Sequence, residues 1–396
     1  MLQLFSYGEN TIKKNVDEKA FTKKEKYYKN KRKVFTNRKK YDIINTRKVV
    51  ARMFEKNLKY YRLKKKMSMK DLAEACGISS MAISNYESGK RKPDMETINK
   101  LSTVLGVYVV DFLASRNSNL TFDHREFRKH SVLTKSQQEY VQEAVEEYFS
   151  RFFDAVECLG GNPLPDPPEC NTLTRTGDCE VDAKSLRKIL GLQEEGPIDE
   201  IIVILKNKGI MVIELDIEND HFFGMNGFVN EYPYIVINKN MSPERKRTTI
   251  LHELAHLMFK WTEDEDNETD ATAIAGATLI SQKDLLRELG VHKSRLTKDM
   301  IIVCREYGIS MYLLVKRAAL TGIISESLAK DFYIKANAAN WKKKEPQRVK
   351  NVEKPMLFEQ LVYRAVNEEG ISKQRGAELL KIPISEMDKF CGLMEV

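Results

Sequence analysis

Several kinds of residue are scarce in this chain, and each scarcity excludes something. Its 396 residues include 6 cysteines and 2 tryptophans. Cys76, Cys158, Cys170, Cys179, Cys304 and Cys391 are scattered along the whole length and none forms a CxxC pair. That argues against a disulfide framework and leaves reduced thiols in the cytoplasm as the expectation. No apolar run approaches the ~18 residues needed to span a bilayer, so no membrane partner is expected. The N-terminus is polar and basic and has no short apolar stretch before a small-residue cleavage site, so secretion is not expected either. What is present is ordinary globular material, 42% hydrophobic and 31% charged, at a length that calls for two or three domains.

The charge is unevenly placed. Residues 1–48 hold 15 Lys or Arg against 5 Asp or Glu, a net of +10 in a chain whose total is +8. The basic character therefore belongs to a tail with a disordered composition, and basic arms add non-specific phosphate contacts in nucleic-acid binders.

From Val49 the texture changes to closely spaced helical periods. Val50, Met53, Phe54, Leu58 and Leu63 predict a first amphipathic helix. Ser68 with Asp71 opens a short helix over Met69–Ala75 that Gly77 ends, and Ser79 caps another through Met81, Ile83 and Tyr86. Two further segments, Met95–Leu105 and Val110–Leu113, complete a domain over residues 49–115. Leu72 and Ile83 should share its core, with Ala73 and Gly77 letting two helices cross closely. Residues 116–135 are polar and predict a linker.

A long helix with an aromatic stripe (Tyr140, Tyr148, Phe149, Phe152, Phe153) opens a second domain at 136–345. Residues 159–181, with Gly160-Gly161 and four prolines, predict a loop or insertion. Order should return at 183. Gly196-Pro197 predicts a helix with proline at its first position, stopping before Gly209. Ile210–Leu215 and Tyr234–Ile237 are strand-length β-branched runs, with a strand–turn between them over His221–Val229. Ser242-Pro243 opens a helix to Phe259, and helices around Thr269–Leu279, Ser281–Leu289, Lys298–Tyr307 and Ser310–Leu320 follow. Lys330–Arg348 shows no clear core pattern, and short helices over Met356–Glu368, Ser372–Leu380 and Ile384–Phe390 form a C-terminal segment, 346–396.

The most informative stretch is His252-Glu253-Leu254-Ala255-His256. Two histidines four residues apart on a helix project imidazoles from one face, about 6 Å apart, and can share one Zn2+. Glu253 can then serve as the proton carrier, as in zinc peptidases. The apolar flanks Ile250, Leu251, Leu254, Leu257 and Met258 suit a helix buried beneath such a site. A catalytic zinc needs a third protein ligand and an open position. An acidic run, Glu263–Asp270, leads into the small-residue helix Ala271–Ala277, so Glu268 and Asp270 are candidates. His221, Tyr234 and Arg247 are conceivable oxyanion donors, but core packing or salt bridging accounts for each more simply.

Residues 196–281 resemble the ImmA/IrrE family of metallopeptidases. The matching stretches are Gly196-Pro197-Ile198, Gly209–Leu215, Gly227-Phe228, Tyr234–Asn238, Arg245–His256, and Glu268 through Leu279-Ile280. The resemblance implies a gluzincin-like zinc endopeptidase with Glu253 catalytic and His252, His256 and Glu268 as metal ligands. Thr272 stands where that family usually has Asn, and Ser281 where it has proline. Residues 56–114 are similar to the Cro/repressor-like XRE family, through Leu72-Ala73, Gly77-Ile78-Ser79 and Ile83–Pro93. That resemblance implies a second helix in the DNA major groove, with Ser80, Met81, Ser84 and Asn85 toward bases and Lys90 and Arg91 near phosphates. The family's common glutamines are Met69 and Ser80 here, so operator preference does not carry over.

The expected architecture is multidomain and mostly α. An all-α helix-turn-helix domain precedes an α+β zincin-like metallopeptidase domain, core 183–281, with a small sheet and a C-terminal helical region. The expected function is a cytoplasmic DNA-binding transcriptional regulator whose peptidase cleaves a partner repressor, switching on stress or mobile-element genes. Operator DNA is one partner, the repressor another, and a homodimer a third expectation. The alternatives are a transcription factor whose peptidase-like domain senses a ligand or metal without proteolysis, and an antitoxin-like interaction protein.

Overall fold

The computed structural model describes residues 54–114, 116–124, 133–219, 221–262, 267–341, 345 and 352–392. The basic tail 1–48, the helix start at Val50 and Met53, and the acids 263–266 lie outside them. The chain divides into two compact units, residues 1–115 and 116–396. Among the described residues no helix is long and apolar enough to cross a membrane.

The first unit is all helix: α1 (54–64), α2 (Met69–Cys76), α3 (Ser80–Glu87), α4 (Met95–Leu105) and α5 (Val109–Phe112). Short polar side chains set the boundaries. Ser68 and Asp71 form a reciprocal cap at 3.1 and 2.8 Å, Ser79 accepts from the Ala82 amide, and Asp94 from that of Thr97. Leu58, Leu72, Ile83, Leu101 and Phe112 are fully buried in one core. Asn57 donates to the carbonyls of Phe112 and Ala114, tying α5 back to α1. Of the two roles expected of Gly77, it ends α2 with a left-handed φ of +67°, but it does not serve a close helix crossing, since a Cβ there would meet nothing within 4 Å.

The second unit is built on a four-stranded sheet in the order β1-β3-β4-β2. Its strands are β1 (Phe122–His124), β2 (Met211–Leu215), β3 (Gly224–Val229) and β4 (Tyr232–Asn238). β1–β3 and β3–β4 are antiparallel, and β2–β4 is parallel. The sheet is apolar on both faces because helices cover both. One face, with Met211, Ile213, Met225, Tyr234 and Val236, packs on the long helix α6 (Lys135–Leu159) and on α15 (Leu357–Asn367) and α16 (Lys373–Leu380). The aromatic stripe of α6 is spent here: Phe149 lies 5.1 Å from Tyr234, and Tyr148 lies 5.2 Å from Phe358.

The other face, with Val212, Ile235 and Ile237, carries the larger core. It packs on α7 (Cys179–Leu190), α8 (Ile201–Asn207), α9 (Pro243–Met258), α10 (Asn267–Leu279) and α11 (Gln282–Leu289). The helices α12 (Met300–Tyr307), α13 (Met311–Leu320) and α14 (Glu326–Ala338) complete it, and α17 (Ile384–Met387) closes the chain's described part.

Four expectations need correction. The segment expected as a linker supplies β1, whose Phe122 pairs with Val229 and whose His124 pairs with Gly227. Pro197 does not start a helix: the Gly196 carbonyl accepts from Arg187 and the Ile198 carbonyl from Arg247, and the helix begins only at Ile201. Residues 326–338 form α14, because Ala329, Phe332 and Ala336 make a sparse buried stripe among lysines. The last helix is four residues long and ends at Met387, not Phe390.

Arg62 of α1 forms a two-pronged pair with Glu87 at the end of α3, at 2.6 and 2.9 Å, with both side chains 5% exposed. Arg62→Met strands a buried carboxylate, so it should destabilise the first unit by about 3–5 kcal/mol. Urea unfolding followed by helical circular dichroism measures this; an unchanged transition refutes it.

Candidate metal centre and nucleic-acid interface

The centre begins with α9. Proline at its first position and a run of buried apolar residues seat this helix against the sheet, with Leu254, Ala255 and Leu257 fully buried. Gly224 on β3 makes the approach close: a Cβ there would fall 2.6 Å from the Thr249 methyl and 3.3 Å from Glu253 Cγ. Two residues along the same strand face, buried Asn226 donates from Nδ2 to Glu253 Oε2 at 2.8 Å.

On its other side α9 meets α10, where the buried small residues Ala271 and Ala275 permit close packing. This brings the first turn of α10 over the two histidines. Glu268 Oε2 lies 3.3 Å from His252 Nε2, its Oε1 lies 3.4 Å from His256 Nε2, and the two Nε2 atoms are 3.2 Å apart. These three residues form the only group of its kind among the described residues. A tetrahedral ion bound at about 2.0–2.1 Å sets its donors about 3.3 Å apart, which the two Nε2 atoms match, and one ligand atom from each of the three residues lies within 4.8 Å of the others. Where the imidazoles are protonated, hydrogen bonds from His252, and then from His256, hold the Glu268 carboxyl well below the ordinary range, against the effect of its burial.

Thr272 supports this arrangement. Its hydroxyl donates to the Glu268 carbonyl at 2.8 Å and lies 3.2 Å from His252 Nδ1. With its own hydrogen engaged, the oxygen accepts from Nδ1–H, which leaves the Nε2 lone pair directed at the cluster. The resemblance had placed threonine where asparagine is usual, and one hydroxyl supplies the contact. Ser281, in place of proline, caps α11 through a reciprocal bond with buried Asp284.

The other candidates lie elsewhere. Asp270 pairs with Arg175 at 2.6 Å. Arg247 is buried against Glu353 and the Ile198 carbonyl, Tyr234 bonds His124 on the far side of the sheet, and His221 is exposed. Sequence reasoning missed Asn226, because its contact with Glu253 depends on how β3 packs on α9.

In the first unit, α2 and α3 form a pair joined by the Gly77 turn. Ser80 and Met81 are exposed at the start of α3, and Ser84 and Asn85 are partly exposed along it. Lys90 and Arg91 are exposed in the following turn, which folds back through an Arg91 amide bond to the Asn85 carbonyl. All six are exposed or partly exposed, while Ile83 and Tyr86 turn inward.

Residues 58–112 match the family model for a helix-turn-helix, and residues 205–319 that for an IrrE N-terminal-like domain. The chain joins a helix-turn-helix domain to a metallopeptidase-like, IrrE-type domain. Two relatives come from Bacillus subtilis (strain 168). The uncharacterized HTH-type transcriptional regulator YqaE is 39% identical over 67 residues, 17% of this chain and 57% of that protein. The SPbeta prophage-derived uncharacterized HTH-type transcriptional regulator YonR is 39% identical over 71 residues, 18% of this chain and 64% of that protein. The chain thus spans under two thirds of either relative's length. No solved structure matches.

Thr272→Val removes the partner of His252 Nδ1 while keeping the side chain's shape. Divalent-metal affinity, measured by competition with a chromogenic chelator, should fall about 10- to 100-fold. Wild-type affinity would show that Thr272 does not orient the histidine.

Proposed function

We propose that this chain is a DNA-binding transcriptional regulator with a zinc-dependent endopeptidase that cleaves a partner repressor. The observation that carries the reading is the convergence of His252, His256 and Glu268 beside a glutamate held by Asn226. Two imidazoles, one carboxylate and a remaining open position make up the donor set of a catalytic zinc rather than a closed structural one. Zinc supplies Lewis acidity there, polarising a carbonyl and acidifying water.

The residues divide the rest of the work. His252, His256 and Glu268 would hold the ion, and Thr272 would keep His252 in the tautomer that binds it. Glu253 takes a proton from water and delivers it to the leaving amine. Asn226 occupies Glu253 Oε2, so Oε1 is left for that transfer. The substrate assignment rests on the union of this centre with a helix-turn-helix domain in one chain. Ser80, Met81, Ser84 and Asn85 are assigned to base edges and Lys90 and Arg91 to phosphates, in a homodimer reading two half-sites in the cytoplasm.

Glu253→Gln should abolish cleavage of co-expressed repressors while zinc content stays at the wild-type level. Loss of cleavage with zinc retained supports the peptidase; cleavage that persists removes Glu253 from the chemistry. A wild-type protein that binds zinc and operator but cleaves no repressor would instead favour sensing without proteolysis. Arg91→Ala should weaken operator binding about equally for all sequences and lower the slope of log affinity against log salt by about 1. Altered sequence preference would place Arg91 at a base.

A further inference from the structure

Residues 159–181 were expected to be a loop or insertion; the helix α7 already begins at Cys179, and the contacts of the segment 160–178 converge on the metal centre. Asn171 and Leu173 donate backbone N–H bonds to the carbonyls of Leu257 and Met258 at 2.9 and 3.0 Å, and the Lys260 amide returns one to Leu173. Those carbonyls belong to the last turn of α9, where no helical partner exists, so the loop completes the end of the helix that carries both histidines. The loop is itself anchored on α7, since buried Asp182 accepts from the Thr176 amide and hydroxyl at 3.0 and 2.8 Å.

Arg175 then spans the centre. Its side chain is 11% exposed, and its guanidinium pairs with Asp270 at 2.6 Å, two residues beyond Glu268 in the first turn of α10. The same guanidinium lies 5.0 Å from the Trp261 ring centroid. Trp261 in turn lies 5.1 Å from the His256 ring and donates from Nε1 to the Ala255 carbonyl at 3.3 Å. One side chain therefore touches the helix bearing the acidic ligand and, through an indole, the helix bearing the histidines.

We propose that Arg175, together with Asp270 and Trp261, is a positioning device that fixes Glu268 relative to His252 and His256 and so sets metal affinity. The inference rests on the metal-centre reading above. Glu268 is 46% exposed, so its own burial does little to hold it, and its place depends on how the first turn of α10 is seated. A planar guanidinium that both stacks on an indole and pairs with a carboxylate restrains that turn in direction as well as distance.

The test uses the full chain as the metal-free protein. Zinc affinity is measured by chelator competition, and the visible spectrum of the cobalt-loaded protein reports ligand geometry. Arg175→Ala and Asp270→Asn should each weaken zinc binding about 10- to 100-fold and alter the cobalt bands, while Arg175→Lys recovers part of the affinity. Asp270→Asn keeps the side chain's size, so it decides the matter if Arg175→Ala does not fold. Wild-type zinc affinity in Asp270→Asn, or in folded Arg175→Ala, overturns the proposal. His256→Ala is measured alongside: if it binds zinc as wild type does, the metal-centre reading itself fails. If His256→Ala loses zinc while the Arg175 and Asp270 variants keep it, only the positioning role fails.

Discussion

The second unit depends on how closely α9 can be approached from two sides. A helix carrying two inward imidazoles and a carboxylate is costly to bury unless each polar group finds a partner. On the sheet side, the missing side chain of Gly224 admits β3 to within contact of Thr249 and Glu253, and Asn226 follows with its hydrogen bond. On the helix side, Ala271 and Ala275 admit α10, which brings Glu268 and Thr272. The small residues make the space, and the polar residues beside them fill it.

A division of labour follows from that constraint. The groups that meet at the centre come from three elements, but the atoms that hold them lie further out. Arg187, fully buried, gives its guanidinium hydrogens to the carbonyls of Thr278, Gln193 and Gly196. It thereby joins α7 to the end of α10 and to the segment before α8. Asp284 receives the Gly196 amide and the Ser281 hydroxyl in the same region. These contacts lock α10 at its C-terminal end, as Arg175 meets it near its N-terminal end. A helix restrained at both ends can present a carboxylate with little freedom, which is what a pre-organised site needs.

The first unit works by a different economy of parts. Its helices are short, and their ends are decided by single serines, an aspartate and glycines rather than by long amphipathic faces. Such caps keep α3 intact while leaving its outer side free of core-packing duties, so small and polar residues are tolerated there. The buried Arg62–Glu87 pair secures the end of α3 from within.

Much of this was legible from residue order because it is local. The spacing of His252 and His256, the caps at Ser68 and Ser79, and the small-residue face of α10 all act over a few residues, where helical geometry dictates who faces whom. The strands β2 and β4 were equally readable from their β-branched runs. What sequence could not decide was which distant partners meet. The edge strand at Phe122–His124 exists because β3 offers it a register, and arginines from α7 and α9 claim the carbonyls of Gly196 and Ile198 where a helix was expected to start. The choice of Glu268 over Asp270 at the histidines, and the bond from Asn226 to Glu253, depend on how α10 and β3 lie against α9. Residue spacing along one helix determined the pair of imidazoles; only packing between elements, which obeys no sequence period, decided what closes around them.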